Sequence, residues 1–92
     1  MKYAVRESTK FRKDLKRLLK RGLDRQKLLE VVRLLASGQP LPPKYKDHAL
    51  TGDLAGLRDC RIQNDWVLLY KIEDLVLVLT LVRTGTHSDL GL

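Results

Sequence analysis

Few side chains in this sequence carry the chemistry to act on a substrate. His48 and His87 are its only two histidines, and an unperturbed imidazole, with a pKa of about 6.5, takes and gives protons at neutral pH. Asp59 and Asp65 are carboxylates suited to orient such rings, and Arg58, Arg61 and Arg83 lie near them in sequence. Each also has a commonplace reading. His48, in a Lys-Asp-His run, fits an exposed loop; Asp65, in Asn64-Asp65-Trp66, fits a turn. His87 fits a tail residue, and Asp59 fits a strand carboxylate paired with a neighbouring base. Cys60 alternates with charged residues and reads as a small core residue. Metal-ligand spacings, a P-loop, a glycine-rich dinucleotide turn and a Gly-x-Ser-x-Gly elbow are all missing, so no metal or cofactor is expected.

Around these residues the charge is unevenly spread. Eighteen Lys and Arg against eleven Asp and Glu give a net +7. Residues 1–46 hold fourteen basic and four acidic residues, a net of +10, whereas 47–92 carry a net of −3. A polyanion or an acidic protein is the expected partner of such a surface, the plainer alternative being a solvated basic face. A single Cys excludes an internal disulfide framework. The longest apolar run, Leu75–Leu79, resumes after Thr80 only to Val82, far short of the roughly 20 residues of a membrane span. Met1–Glu7 lacks the apolar stretch of a signal peptide. One soluble domain over residues 1–92, in a reducing, cytoplasmic setting, is expected.

The elements that must position the candidates can be read from periodicity. Residues 3–6 alternate weakly as a short strand, and Ser8 or Thr9 caps a helix with Phe11, Leu15, Leu18 and Leu19 on one stripe. Its other face is basic, with Lys10, Arg12, Lys13, Lys16, Arg17, Lys20 and Arg21 against the lone Asp14, and Gly22 stops it. Asp24 caps a second helix, apolar at Leu28, Val31, Val32 and Leu35, which Ser37-Gly38 closes. The short link makes the helices antiparallel neighbours. Pro40, Pro42 and Pro43 then force a polar loop through Tyr45–His48. Arg58–Ile62, Trp66–Ile72 and Leu75–Val82 read as three strands of an antiparallel meander, the last apolar on both faces and therefore central. The fold class is α+β: a strand, a helix pair and a meander, with the helices on one sheet face.

Four segments in order resemble one family. Tyr45-Lys46-Asp47-His48-Ala49-Leu50-Thr51-Gly52, Leu57-Arg58-Asp59-Cys60-Arg61-Ile62, Asp65-Trp66-Val67-Leu68-Leu69-Tyr70 and Arg83-Thr84-Gly85-Thr86-His87-Ser88-Asp89-Leu90 are similar to the YafQ toxins of the RelE/ParE superfamily. The resemblance implies a RelE-like fold and a toxin of a type II toxin–antitoxin pair. It implies an endoribonuclease that cuts translated mRNA on the ribosome and is neutralised by a cognate antitoxin. The free toxin is expected to be monomeric, and a hetero-oligomer with its antitoxin. Carried over residue by residue, the catalytic set is His48, Asp59, Asp65 and His87, with Arg83 at the scissile phosphate. Beside that set, Arg61, Arg58 and Lys46 are expected as further RNA or phosphate contacts. The basic face of the first helix, at Lys10, Lys13, Lys16, Arg17, Lys20 and Arg21, is expected to meet ribosomal RNA.

This sequence departs from the family pattern twice. Arg61 stands where the family carries a third histidine, and it cannot serve as a base. Leu90 is followed by Gly91-Leu92 where the family tends to end Leu-Phe, so stacking on a base is lost. The implied chemistry needs no metal: the RNA 2′-OH attacks, His87 is the general acid, and His48 or Asp65 is the base. The alternatives are a ParE-like protein binder that poisons gyrase, or an RNA-binding relative without catalysis. A binder has no chemical reason to assemble the four-residue set. A helix-turn-helix reading is disfavoured because the second helix is wide-faced and apolar.

Overall fold

The computed structural model describes residues 1–92, and its first helix shows how local sequence and tertiary contact share one residue. Helix α1 spans Thr9–Lys20, after strand β1 at Ala4–Glu7. The Ser8 hydroxyl caps it, accepting from the Phe11 N–H at 2.9 Å and donating to the Val82 carbonyl at 2.6 Å. One side chain thus ends a strand, starts a helix and ties both to the far end of the chain; such caps contribute about 1 kcal/mol. Gly22, at φ +92°, takes the left-handed turn that ends α1. Helix α2 follows at Arg25–Ala36, with the Asp24 side chain accepting from the Gln26 N–H at 2.9 Å. No helix is long and apolar enough to cross a membrane.

Strand β2 at His48–Ala49, β3 at Arg58–Gln63, β4 at Trp66–Glu73 and β5 at Val78–Thr86 complete a five-stranded sheet. Its order is β1-β5-β4-β3-β2, with β1 parallel to β5 and every other pair antiparallel. A four-residue helix, α3, runs from His87 to Leu90. Phe11 and Leu18 of α1 and Leu28, Val31, Leu35 and Ala36 of α2 form one core with Cys60, Ile62, Trp66, Leu68, Tyr70, Leu79 and Leu81 of the sheet. Each large side chain so buried contributes about 1.5–3 kcal/mol, so the helix layer holds the sheet from one face.

The expected α+β order, caps and meander are those of the structure, with three differences. Leu75, Val76 and Leu77 do not belong to the last strand. They form the β4–β5 turn, Leu75 wholly exposed and Leu77 at φ +53°, because the ladder closes at Glu73 opposite Val78. The last strand lies inside the sheet between β1 and β4, as expected, but continues through Arg83 to Thr86. The polar loop before β3 contains a turn of 3-10 helix at Pro43–Tyr45, whose Tyr45 ring is buried, and the short β2.

Candidate active site

Strand register gathers three of the candidate residues into one row. His48 lies opposite Asp59, Asp59 opposite Leu69, and Leu69 opposite Arg83, and directly opposed residues project from the same sheet face. Arg61, two residues beyond Asp59, shares that face and lies opposite Val67. The core residues Cys60, Leu68 and Thr84 alternate to the helix side. The site therefore occupies the sheet face turned away from the helices.

His48 is oriented by its own loop. Lys46 is exposed and adopts a left-handed φ of +50°, and its carbonyl receives the His48 Nδ1–H at 2.8 Å. A carbonyl only accepts, so the proton of a neutral His48 ring resides on Nδ1 and Nε2 keeps its lone pair. That Nε2 stands 4.0 Å from Oδ2 of Asp59, whose side chain is only 7% exposed. Burial raises the pKa of Asp59, and the positive charge of His48, His87 and Arg61 counteracts it. Asp59 thus feels both imidazoles and the Arg61 guanidinium, the electrostatic mark of a convergent site.

His87 is oriented from the other side. The β3–β4 turn presents the Asp65 carboxylate, which accepts the Nδ1–H of His87 and also its backbone N–H. These bonds, the side-chain one foremost, lower the Asp65 pKa. Its Nδ1 so engaged, His87 has Nε2 left for a substrate. Local sequence supplies the support: Thr86 and Asp89 form a reciprocal capping box at the start of α3. Gly85 permits the fold-back, since a Cβ there would stand 3.0 Å from the Cβ of Asp89. Arg21 at the end of α1 grips Asp89 at 2.9 Å.

The other candidates are placed differently. Arg58 alternates to the helix side, opposite Tyr70, and its Nε and Nη2 bond Asp47 at 3.3 and 3.1 Å. It faces away from Asp59 because neighbours on a strand point oppositely, so it does not join the row that holds Asp59 and Arg83. The Arg61 side chain makes no hydrogen bond or ion pair within the chain and is available to a ligand. Arg83 is bound to Asp14 through Nε at 2.6 Å and Nη2 at 3.1 Å. On α1, Lys10, Lys13, Lys16 and Lys20 are unpaired and exposed or nearly so, whereas Arg17 pairs with Asp14 and Arg21 with Asp89.

Sequence reasoning passed over two supporting carboxylates. Asp47 accepts from the Tyr70 hydroxyl as well as from Arg58, pinning the residue next to His48 to the core. Asp14 is buried under α1. A signal for Asp14 was present: it lies three residues after Phe11 and four before Leu18, on the apolar stripe of an otherwise basic helix.

The α+β fold that carries the His48–Asp59 and His87–Asp65 pairs is that of a class of bacterial toxins. A family model described as "Bacterial toxin of type II toxin-antitoxin system, YafQ" matches residues 3–91. The chain is 41% identical over 87 residues to the mRNA interferase toxin YafQ of Escherichia coli K12, covering 94% of this chain and 92% of that protein. A metal-bound toxin from Helicobacter pylori superposes with a TM-score of 0.90 at 48% identity, over 96% of this chain and 98% of that one. YafQ in the E. coli DinJ–YafQ complex superposes with a TM-score of 0.87 at 40% identity, over 96% and 97%. This chain belongs to the YafQ toxin family.

Proposed function

We propose that this toxin is an endoribonuclease that cuts translated mRNA on the ribosome, with the RNA 2′-OH as nucleophile and two histidines moving the protons. The observation that carries the reading is the pair of oppositely anchored imidazoles. Each has Nδ1 bonded to the protein, His48 to a backbone carbonyl and His87 to a carboxylate, so each has Nε2 for substrate. His48 Nε2 takes the 2′-OH proton as the 2′-oxygen bonds to phosphorus. The bond from phosphorus to the 5′-oxygen breaks, and the 5′-oxygen receives the proton of His87 Nε2. The products are a 2′,3′-cyclic phosphate and a 5′-OH.

The same geometry supports a division of labour between the carboxylates. Asp65 is engaged by His87 and has a lowered pKa, which makes it a poor base and a good support for the imidazolium form. His48 is therefore the base, and Asp59, 4.0 Å from its Nε2, stabilises the charge that the ring acquires. Arg61 and Arg83 meet the charge on the transferring phosphate. The unpaired lysines of α1 supply sequence-independent affinity for ribosomal RNA.

The proposed partner is a cognate antitoxin, as the DinJ–YafQ complex of the E. coli relative suggests. An acidic inhibitor suits the +7 chain, and its association should weaken with salt. The test is induction in cells with mapping of mRNA 5′ ends, followed by cleavage of programmed ribosomes in vitro. Ribosome-phased cuts, and loss of cleavage when the ribose at the cut site is 2′-deoxy, are the expected results. Intact mRNA with damaged DNA would overturn the ribonuclease reading in favour of a gyrase poison. A 5′-phosphate product, or a cut deoxy substrate, would overturn the two-histidine mechanism.

A further inference from the structure

Strand β5 loses its neighbour halfway along. β1 pairs with it only from Val78 to Leu81, and beyond that the edge of β5 is open to whatever lies alongside. Helix α1 takes the vacated place. The first contacts are from Ser8, whose N–H donates to the Leu81 carbonyl at 3.0 Å and whose hydroxyl donates to that of Val82. Asp14 makes the next, accepting the backbone N–H of Thr84 at 3.2 Å. Its carboxylate also receives Arg83 Nε and Nη2 and, at 3.2 Å, Arg17 Nη2. Four donors thus converge on one acid whose side chain is 4% exposed.

The Arg83 guanidinium is held along one edge by this acid, and its remaining nitrogen, Nη1, has no partner in the chain. The Arg83 side chain is 30% exposed and springs from the same row as Asp59 and His48. A two-point grip removes the rotational freedom of a long side chain before substrate arrives. Arg17 supplies a second positive charge, so the group as a whole stays cationic toward a phosphate. Packing alone does not call for a carboxylate here, since Phe11 and Leu18 on the same stripe are apolar.

We propose that Asp14 is a positioning residue for the cleavage step: it acts through Arg83, clamping Nε and Nη2 so that Nη1 is presented to the scissile phosphate. The proposal rests on the ribonuclease reading for the role of Arg83. It makes α1 a working part of the site rather than only a basic surface.

Asp14→Asn is the discriminating change. An asparagine keeps an oxygen for the Thr84 N–H but turns an amide toward the guanidinium and loses the charge. With wild-type protein and programmed ribosomes as the reference, Asp14→Asn should lower kcat by about 10²-fold, the size of effect expected for a misplaced catalytic group, with KM little changed. In an Arg83→Ala background the same substitution should cost nothing further. Arg83→Lys serves where Asp14→Asn does not fold: a lysine can pair with Asp14 but has no second nitrogen for phosphate, so it should be as inactive as Arg83→Ala. Thermal melting separates loss of fold from loss of rate.

Full cleavage by Asp14→Asn, an equal loss in both backgrounds, or an active Arg83→Lys overturns the proposal. An inactive wild type, or an active Arg83→Ala, tells against the ribonuclease reading or the role of Arg83 instead, so the two failures are distinguishable.

Discussion

Replacing Asp47 tests whether the core pins the active-site loop. Its carboxylate accepts from the Tyr70 hydroxyl and, at 3.3 and 3.1 Å, from Arg58. Tyr70 is 1% exposed, so Asp47→Ala removes the acceptor of a buried phenol. A hydrogen bond to a charged group contributes about 1.5–3 kcal/mol, while the half-exposed ion pair with Arg58 adds at most about 1. The expected loss is therefore about 2–4 kcal/mol, a fall in Tm of about 10–25 °C for a domain of this size. Urea unfolding of Asp47→Ala, Tyr70→Phe and the double variant measures it. In the Tyr70→Phe background, Asp47→Ala should cost no more than the Arg58 share of about 1 kcal/mol. Cleavage should fall more than stability at a temperature where the variant is still folded, because Asp47 precedes His48. Simple additivity of the two single substitutions would refute the coupling, and unimpaired cleavage would refute the link to the loop.

Four further outcomes follow from the structure. His87→Ala should abolish cleavage and growth arrest while leaving the melting curve near wild type, since the ring is part-exposed and outside the core; a toxic, folded variant would remove His87 from the mechanism. Asp89, held at a pKa of about 2 against an ordinary 3.8 by the Thr86 N–H and by Arg21, contributes stability that is present above about pH 4 and is lost as pH falls toward 2. Asp65 acts in the same direction and Asp59, raised by burial, in the opposite one, so Arg21→Ala should move the acid-unfolding midpoint upward. Burial pushes the Cys60 thiol well above its ordinary pKa, so thiol reagents should label it only at the rate of unfolding; fast labelling of the native protein would contradict its place in the core. Leu75→Lys should change stability by less than about 0.5 kcal/mol, because the side chain is wholly exposed; a larger loss in urea unfolding would place it in a contact the structure does not contain.

The sequence by itself determined what is written locally. Ser8, Gly22 and Asp24 mark the helix ends because capping and left-handed turns depend on a residue and its nearest neighbours. The row of site residues was visible as motifs, and β3 was readable as a strand from its alternation. Pairing was not so written. The apolar run Leu75–Leu77 reads as strand, but hairpin closure at Glu73 and Val78 turned it into a loop, because register is a property of two strands rather than one. Arg58 and Asp59 stand side by side in the chain, and only the direction of the pleat sends one toward Asp47 and the other toward His48. Asp14 and Arg83 are 69 residues apart, and a helix filling the place of an absent strand brings them together. Local rules fix which side chains exist and where elements begin. Contacts between distant segments depend on how whole elements pack, and that packing decided which candidate arginines were free, which were clamped, and which histidine nitrogen was left without a partner.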